Sequence, residues 1–472
     1  MDIGTQGARV VLTDAEGKVA GSREEAFPLN AGSREEQSPR HWWEASLRCL
    51  EALVAEVKGH VNLQDIRALA VTSTSGTVIP LDAQHEPLHP AIMYSDKRSV
   101  QEAQICRSMA ERYHPDGYTG FNTSSGLPKM LWWQNAHPET VPRLRSWAHA
   151  ADYITGRISG RWGITDYTNA LKSGYDLRRL EWPAYLWEQL PLQRSWLPEV
   201  VPSGTPVGTI DAALAAHLGL PGTLTVTAGV TDGCASQMAS GAVSPGDWNT
   251  TIGTTLVIKG VTRKEIRDPE GVWYSHRHPD GYWMPGGASN TGADWISTGF
   301  GNKLPSAEEL AGVTLPTGEL AYPLQQEGER FPFQAPSAKG FFPESLSPLL
   351  HFVAGMEGVA YLERYAYERV AALSGEAVKA VYTAGGGSNS PVWLQIRSQV
   401  LNLPLYKMEQ VSGAAGGAIL AASRTHFGSL QEAAKAMTRV EKVIRPEPGP
   451  AEAYDKNYRR FVKRLQEKGY IH

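Results

Sequence analysis

The chain has almost no cysteine. Cys49, Cys106 and Cys234 are the only three in 472 residues. They are far apart, odd in number and in no CxxC pair, which argues against a disulfide framework or a cysteine-based zinc site. A reducing, cytoplasmic setting fits that usage. No uninterrupted apolar run is long enough to span a bilayer, and no basic region followed by an apolar run opens the sequence, so no membrane partner is expected. An excess of charge of either sign is missing too: 45 Lys and Arg face 49 Asp and Glu, for a formal net charge of −4. Nothing there suggests a nucleic-acid partner. Nor is there a Walker A phosphate loop. What remains is 42% hydrophobic and 20% charged, the make-up of a globular chain with ample core. The length allows two or three domains.

The most informative stretch runs from Gly229 to Thr255. A β-branched run, Leu224 to Ala228, leads into Gly229, and Asp232 follows between glycines. A small-residue helix is expected over Cys234–Gly241, then a turn at Pro245-Gly246, a strand near Trp248–Ile252 and a second turn at Gly253-Thr254-Thr255. A carboxylate between glycines at a strand-to-helix junction lets a ligand come close, because glycine has no Cβ to block it. Asp232 would equally serve as an ordinary helix cap. The residues alone leave both readings open.

The N-terminus repeats the pattern. Asp2 precedes Gly4-Thr5-Gln6-Gly7, a turn that runs into Ala8–Val11, much as Gly253-Thr254-Thr255 runs into Leu256-Val257. Two such turns far apart suggest a duplicated unit. Facing each other, they could hold a polyphosphate through backbone N–H groups and hydroxyls. A third glycine cluster, Gly385-Gly386-Gly387-Ser388-Asn389, follows the strand-like segment 377–384.

Taken in order, DIGTQG at 2–7, MYSDKR at 93–98, GVTDG at 229–233, GTT at 253–255 and GGGSNSPVWLQIRSQVLNLPL at 385–405 resemble the FGGY family of carbohydrate kinases. The resemblance spans nearly the whole chain. It implies an α/β fold of two actin-like ATPase (ribonuclease H-like) domains with a cleft between them. The expected division is an N-terminal domain over 1–240 on the sugar side and a C-terminal domain over 241–472 on the nucleotide side.

The same resemblance implies transfer of the ATP γ-phosphoryl group to a sugar hydroxyl. Asp232 is then the expected base, and Ser75, Asp96 and Asp232 the sugar contacts. Thr5, Gln6, Gly253 and Thr254 would bind the phosphates. Gly385, Gly386, Gly387 and Asn389 would line the adenine and ribose pocket, and Asp2 would hold Mg²⁺. The hydroxyl-rich loop Ser73–Thr77 carries neither the Met-His pair of xylulose kinases nor the Arg-Glu pair of glycerol kinases. With segments 165–176 and 274–292 it is similar to the D-ribulose kinase subgroup. D-ribulose is therefore the first expected substrate, with D-xylulose or another ketose or polyol as the alternative. A sugar-independent ATPase and a non-catalytic sugar sensor are the rival classes. The partners expected are the small-molecule sugar and ATP; oligomeric state is not legible, and a homodimer is the state to test.

Family members carry several apolar residues before the position of Asp2, whereas only Met1 precedes it here, so either the start is placed late or the first strand is shortened. Ser38 is expected to cap a helix opened by Pro39. Residues 100–220 read as a variable insertion without a catalytic motif. His276 and His278 alternate on one strand face but lack a third metal ligand. Strong helices are expected over Pro348–Leu373, Asn389–Leu401 and Gly413–Thr425.

Overall fold

The computed structural model describes every residue except Asn302. Its contacts divide the chain into two compact units. The first comprises Met1–Ala239, His276–Gly281 and Val411–Thr438; the second comprises Ser240–Ser275, Tyr282–Gln410 and Arg439–His472. A single contiguous boundary at residue 240 is thus corrected: two later segments pack with the first unit.

The main sheet of the first unit has six strands. In chain order they are β1 (Asp2–Ile3), β2 (Gly7–Thr13), β3 (Val19–Ala26), β4 (Ala68–Ser73), β5 (Pro206–Thr209) and β6 (Thr225–Thr231). They lie in the spatial order β5-β6-β4-β1-β2-β3. β1, β4 and β6 run parallel, and β2, β3 and β5 are antiparallel to their neighbours. Helix α1 (Pro39–Val57), capped by Ser38 as expected, buries Trp42, Leu50, Leu53 and Val57. That apolar stripe joins the core that also holds Met1, Ile3 and Val10.

Two parts of this unit depart from the sequence reading. Helix α2 (Ala150–Ser159) buries Ala150, Ala151, Tyr153 and Ile154 in that same core, and β5 belongs to the main sheet. Residues 100–220 are therefore partly core, not merely an insertion. The Gly413–Ser423 helix also belongs here. It crosses α3 (Asp232–Ala239) so closely that a Cβ at Gly416 would overlap the Ala235 carbonyl. Its small residues do permit close packing, as their pattern suggests.

The second unit carries β7 (Asp247–Ile252), β8 (Leu256–Gly260), β9 (Trp283–Ala288), β10 (Ala380–Ala384), β11 (Leu405–Met408) and β12 (Val440–Ile444). These run in the spatial order β9-β8-β7-β10-β11-β12. β7, β10 and β11 are parallel; β8, β9 and β12 are antiparallel to their neighbours. So each unit has two antiparallel strands leading into three parallel ones, closed by an antiparallel edge. The Gly4–Gln6 turn joins β1 to β2, and the Gly253–Thr255 turn joins β7 to β8, at equivalent places. The echo between the two turns is thus matched by topology.

Helices α4 (Pro348–Ser374) and α5 (Pro391–Leu401) cover this second sheet. Between them lies a fully buried ion pair: Arg397 Nε and Nη2 donate to Glu363 at 2.7 and 2.8 Å, with neither side chain exposed. Arg397 Nη1 also donates to Thr383 Oγ1 at 2.7 Å, and Thr383 Oγ1 donates to Thr250 O at 3.0 Å. A buried pair of this kind is kept only when its geometry is good and its remaining donors are satisfied. Here it braces β7 and β10 just before their turns.

Candidate active site

Parallel strands in an α/β sheet present their carboxyl ends to ligands. In the first unit, register places Asp2 beside Thr72, and Ile3 beside Ser73, and Thr231 also pairs with Ser73. Three chain segments therefore leave the sheet at one edge: Gly4-Thr5-Gln6 after β1, Thr74-Ser75-Gly76 after β4 and Asp232 after β6.

The β1 turn is pinned by Gly4 N donating to Gly7 O at 3.0 Å and Phe27 N donating to Gln6 O at 2.8 Å. Gln37 Nε2 donates to Thr5 O at 3.0 Å. Thr5 is half-buried and Gln6 exposed. Asp2 Oδ1 accepts from Thr72 Oγ1 at 2.7 Å. A Cβ at Gly413 would come within 2.9 Å of the Asp2 carboxylate, so glycine is what lets that helix start pass beside it. Asp2 offers one carboxylate, and no cluster of three or more metal-ligating side chains occurs among the described residues. That fits a Mg²⁺ ion, which takes one or two carboxylates together with substrate phosphates and water.

The hydroxyls after β4 are mostly spent within the protein. Ser73 Oγ accepts from Ala151 N at 2.9 Å, Thr74 and Thr77 hydroxyls pair at 2.9 Å, and Thr77 Oγ1 accepts from Tyr94 N at 3.2 Å. Ser75 is the exception: its Oγ is buried and has no protein partner. A buried hydroxyl without a partner is costly, and a ligand hydroxyl would relieve it. Within the hydroxyl-rich loop, Ser75 Oγ is thus the hydroxyl left without a protein partner.

Asp232 opens α3, and its Oδ1 accepts from Gly233 N at 2.6 Å. The residue before it is fixed from a distance. Thr231 N donates to Thr168 Oγ1 at 2.8 Å, and Thr168 Oγ1 donates to the buried Asp166 at 2.7 Å. Asp166 also accepts from Asn169 Nδ2 and Ser203 Oγ at 2.6 Å each. Burial raises its pKa, and these donors oppose that shift. Asp166 and Thr168 position the junction. They lie within segment 165–176, singled out above for its likeness to the D-ribulose kinase subgroup but not for this role.

Asp96 stands differently. It is 1% exposed, and both its oxygens are taken by Arg98, through Nε at 2.9 and 3.2 Å and Nη2 at 2.6 Å, with Arg98 N donating at 2.7 Å. Arg98 in turn lies over the Trp132 ring, 4.1 Å from its centre, and reaches Glu36 at 2.6 Å. This bidentate geometry makes Asp96 first a fixture for the loop. Near it lies Lys129, fully buried, whose ammonium donates to the carbonyls of Thr123 and Ser125. Burial lowers its pKa to about 7, while Asp96 pulls the other way. Sequence reasoning passed over Lys129; a lysine amid Leu127, Met130 and Leu131 was the available signal.

In the second unit, β7 and β10 are neighbours, with Thr251 paired to Ala384. Both glycine turns therefore emerge side by side. Gly385 has φ +85°, and a Cβ there would sit 2.6 Å from Ile252 O. Only glycine suits that position. A Cβ at Gly387 would lie 2.8 Å from Ile252 Cβ, whereas at Gly253 or Gly386 it would meet nothing within 4 Å. Thr254, Gly386 and Asn389 are exposed. The backbone at Gly253 and Gly386 is thus open to close approach by another molecule. His276 and His278 are both buried.

The N-terminal domain of the FGGY family of carbohydrate kinases matches residues 1–239, and its C-terminal domain matches residues 248–426. The chain belongs to the FGGY family. Among FGGY relatives, a xylulose kinase of Bacillus subtilis (strain 168) is 27% identical over 473 residues, covering 96% of this chain and 93% of that protein. A gluconokinase of the same organism is 23% identical over 444 residues, covering 89% and 86%. The solved structure of a xylulose kinase from Rhodospirillum rubrum superposes with a TM-score of 0.86 at 25% identity, over 99% of this chain and 97% of that one. The two sheet-containing domains have the actin-like ATPase fold of this family. This FGGY protein is a sugar kinase, and ATP is the phosphoryl donor its family implies. No helix among the described residues is long and apolar enough to cross a membrane.

Proposed function

We propose that this kinase transfers the γ-phosphoryl group of ATP to a hydroxyl of a ketopentose, with D-ribulose as the preferred substrate. The observation carrying this reading is the shared edge of β1, β4 and β6, which gathers Asp2, Thr5, Ser75 and Asp232. Phosphoryl transfer asks the protein for positioning, charge neutralisation and a base, and little else. Asp232 accepts the proton of the attacking hydroxyl as its oxygen bonds to phosphorus. Ser75 Oγ meets a sugar hydroxyl, and Tyr94, whose phenol lies 3.4 Å from Thr5 Oγ1, offers a ring face to the sugar carbons. Thr5 and Gln6 in the first unit and Gly253 and Thr254 in the second bind phosphate oxygens. Gly385, Gly386, Gly387 and Asn389 bind the nucleoside. Asp2 holds Mg²⁺, which supplies charge neutralisation on the phosphates. Asp96 contributes by holding the Tyr94 loop through Arg98, and a sugar contact from it would be secondary.

D-xylulose is the second reading, supported by the xylulose kinases among the relatives. D-ribulose is preferred because the loop at Ser75 offers one free hydroxyl and no Met-His pair. A coupled ADP-release assay across ketoses and polyols tests this. The highest kcat/KM is expected with D-ribulose, then D-xylulose. A hexulose, aldonate or polyol outranking both overturns the assignment.

A further inference from the structure

The turn at 253–255 is backed by another piece of the second unit. Segment 289–293, which follows β9, runs along it. Ser289 N donates to Leu256 O at 2.8 Å, Leu256 N to Thr291 O at 3.1 Å and Ala293 N to Gly253 O at 2.8 Å. A Cβ at Gly292 would lie 2.4 Å from Thr254 O and 2.5 Å from Thr255 Cα, so the two backbones are in contact there. A shift of segment 289–293 would therefore displace the turn.

One buried carboxylate holds that segment. Glu329 is 3% exposed. Its Oε2 accepts from Ser289 Oγ at 2.9 Å, from Thr291 Oγ1 at 2.8 Å and from Tyr322 Oη at 2.8 Å. Its Oε1 accepts from Asn290 N at 2.7 Å, from Arg330 N at 3.0 Å and, more distantly, from Phe331 N at 3.5 Å. Three consecutive residues, 289 to 291, thus end on a single side chain. The neighbours of Glu329 clasp the same stretch: Asn290 Nδ2 donates to Gly328 O at 2.9 Å, and Arg330 Nε donates to Ala288 O at 2.8 Å. Thr291 N donates to Ser289 Oγ at 2.8 Å, which leaves the Ser289 hydroxyl proton aimed at Glu329.

None of these donors to Glu329 carries a charge. Burying a carboxylate is costly, and here neutral donors replace the water it gave up. An ionised carboxylate only accepts, at both oxygens, so all its donors converge on it. An amide would turn an N–H₂ group towards one set of them and break the arrangement. Such buried support keeps the geometry of a neighbouring site exact.

We propose that Glu329 is a positioning residue for phosphoryl transfer, fixing the turn at Gly253 and Thr254 through residues 289–291 so that the turn meets the ATP phosphates. This rests on the reading of that turn as a phosphate site. Glu329 itself is sealed beneath the segment it holds and acts only through it.

The test compares Glu329→Gln, Thr291→Val and Thr291→Ser in the full chain. The KM for ATP and the KM for the ketopentose are each measured by coupled ADP release, alongside a melting curve. Glu329→Gln is expected to raise the KM for ATP about tenfold and to change the KM for sugar little. Thr291→Val keeps the shape without the hydroxyl and should raise the ATP KM about threefold, whereas Thr291→Ser should restore it. In the double variant Glu329→Gln/Thr291→Val the two increases should not multiply, because both break one link. A merely structural role would lower Tm and leave the ATP KM alone, or move both KM values together; either result overturns the proposal. Should Glu329→Gln not fold, the contrast between Thr291→Val and Thr291→Ser decides, and equal ATP KM values in those two overturn it. A parent-like ATP KM in these variants beside a raised one in Gly253→Val removes the role of Glu329 alone. Parent-like values in Gly253→Val as well remove the phosphate-turn reading with it.

Discussion

Gly253→Val isolates what the second glycine–threonine turn does for the nucleotide. A Cβ at this position meets no protein atom within 4 Å, and the backbone is not left-handed there, so valine should cost the fold little. The turn itself is held by backbone, with Gly253 N donating to Thr255 O at 3.0 Å and Ala293 N to Gly253 O at 2.8 Å. The side chain instead occupies the space through which a phosphate would approach the turn. Displacing the phosphate from one charge-assisted hydrogen bond costs about 1.5–3 kcal/mol. At about 1.4 kcal/mol per factor of ten, that is roughly a tenfold to hundredfold rise in the KM for ATP. The KM for sugar should change far less, because the sugar contacts are assigned to the first unit. Steady-state kinetics with each substrate varied in turn, alongside a melting curve, makes the comparison. An unchanged ATP KM in a folded Gly253→Val protein would refute the reasoning.

Two further predictions concern single side chains. Ser75→Ala removes a buried hydroxyl that has no protein partner, so stability should hold or rise while the KM for sugar increases about tenfold; a melting curve and sugar kinetics check it, and an unchanged sugar KM would count against contact at Ser75. Glu357 in α4 is buried, and although it accepts from Thr317 N at 2.9 Å and Thr317 Oγ1 at 2.5 Å, desolvation lifts its pKa from 4.5 to about 7. The folded state therefore holds this proton more tightly than the unfolded one. Its contribution is most favourable below pH 4.5 and is lost as pH rises through 7, a swing on the order of 3 kcal/mol. Glu357→Gln should accordingly gain stability on the parent at pH 8, with the gain shrinking towards pH 5. Denaturant unfolding at both pH values decides, and an equal gap at each would contradict the shift.

The strand ends were legible in the sequence because glycine and threonine at a turn are local signals. Asp232 and Gly253 each follow a short run rich in β-branched residues, Gly385 follows the strand-forming Ala380–Ala384, and each lies just beyond the end of a parallel strand. The duplication was legible for the same reason, although the matched strand order needed the structure. What the sequence hid was partner choice. The Gly413–Ser423 helix is plainly made for close packing, but nothing local says that Ala235, rather than its sequence neighbours, lies against Gly416. Glu363 continues the buried series Phe352, Met356 and Val359 at helical spacing. A charge on an apolar stripe needs a buried counter-charge, and Arg397 sits more than thirty residues away in sequence. Asp96 looked like a sugar ligand by its motif, while its two oxygens are committed to Arg98.

The proposed role of Asp232 as the base for phosphoryl transfer is tested directly by Asp232→Asn. Asn keeps the shape but cannot take the proton. With a saturating ketopentose and ATP, ADP release should fall by about 10² to 10⁴ while ATP affinity, measured by titration calorimetry on the same protein, stays close to the parent value. A variant that keeps more than about a tenth of the parent kcat would remove Asp232 from that role.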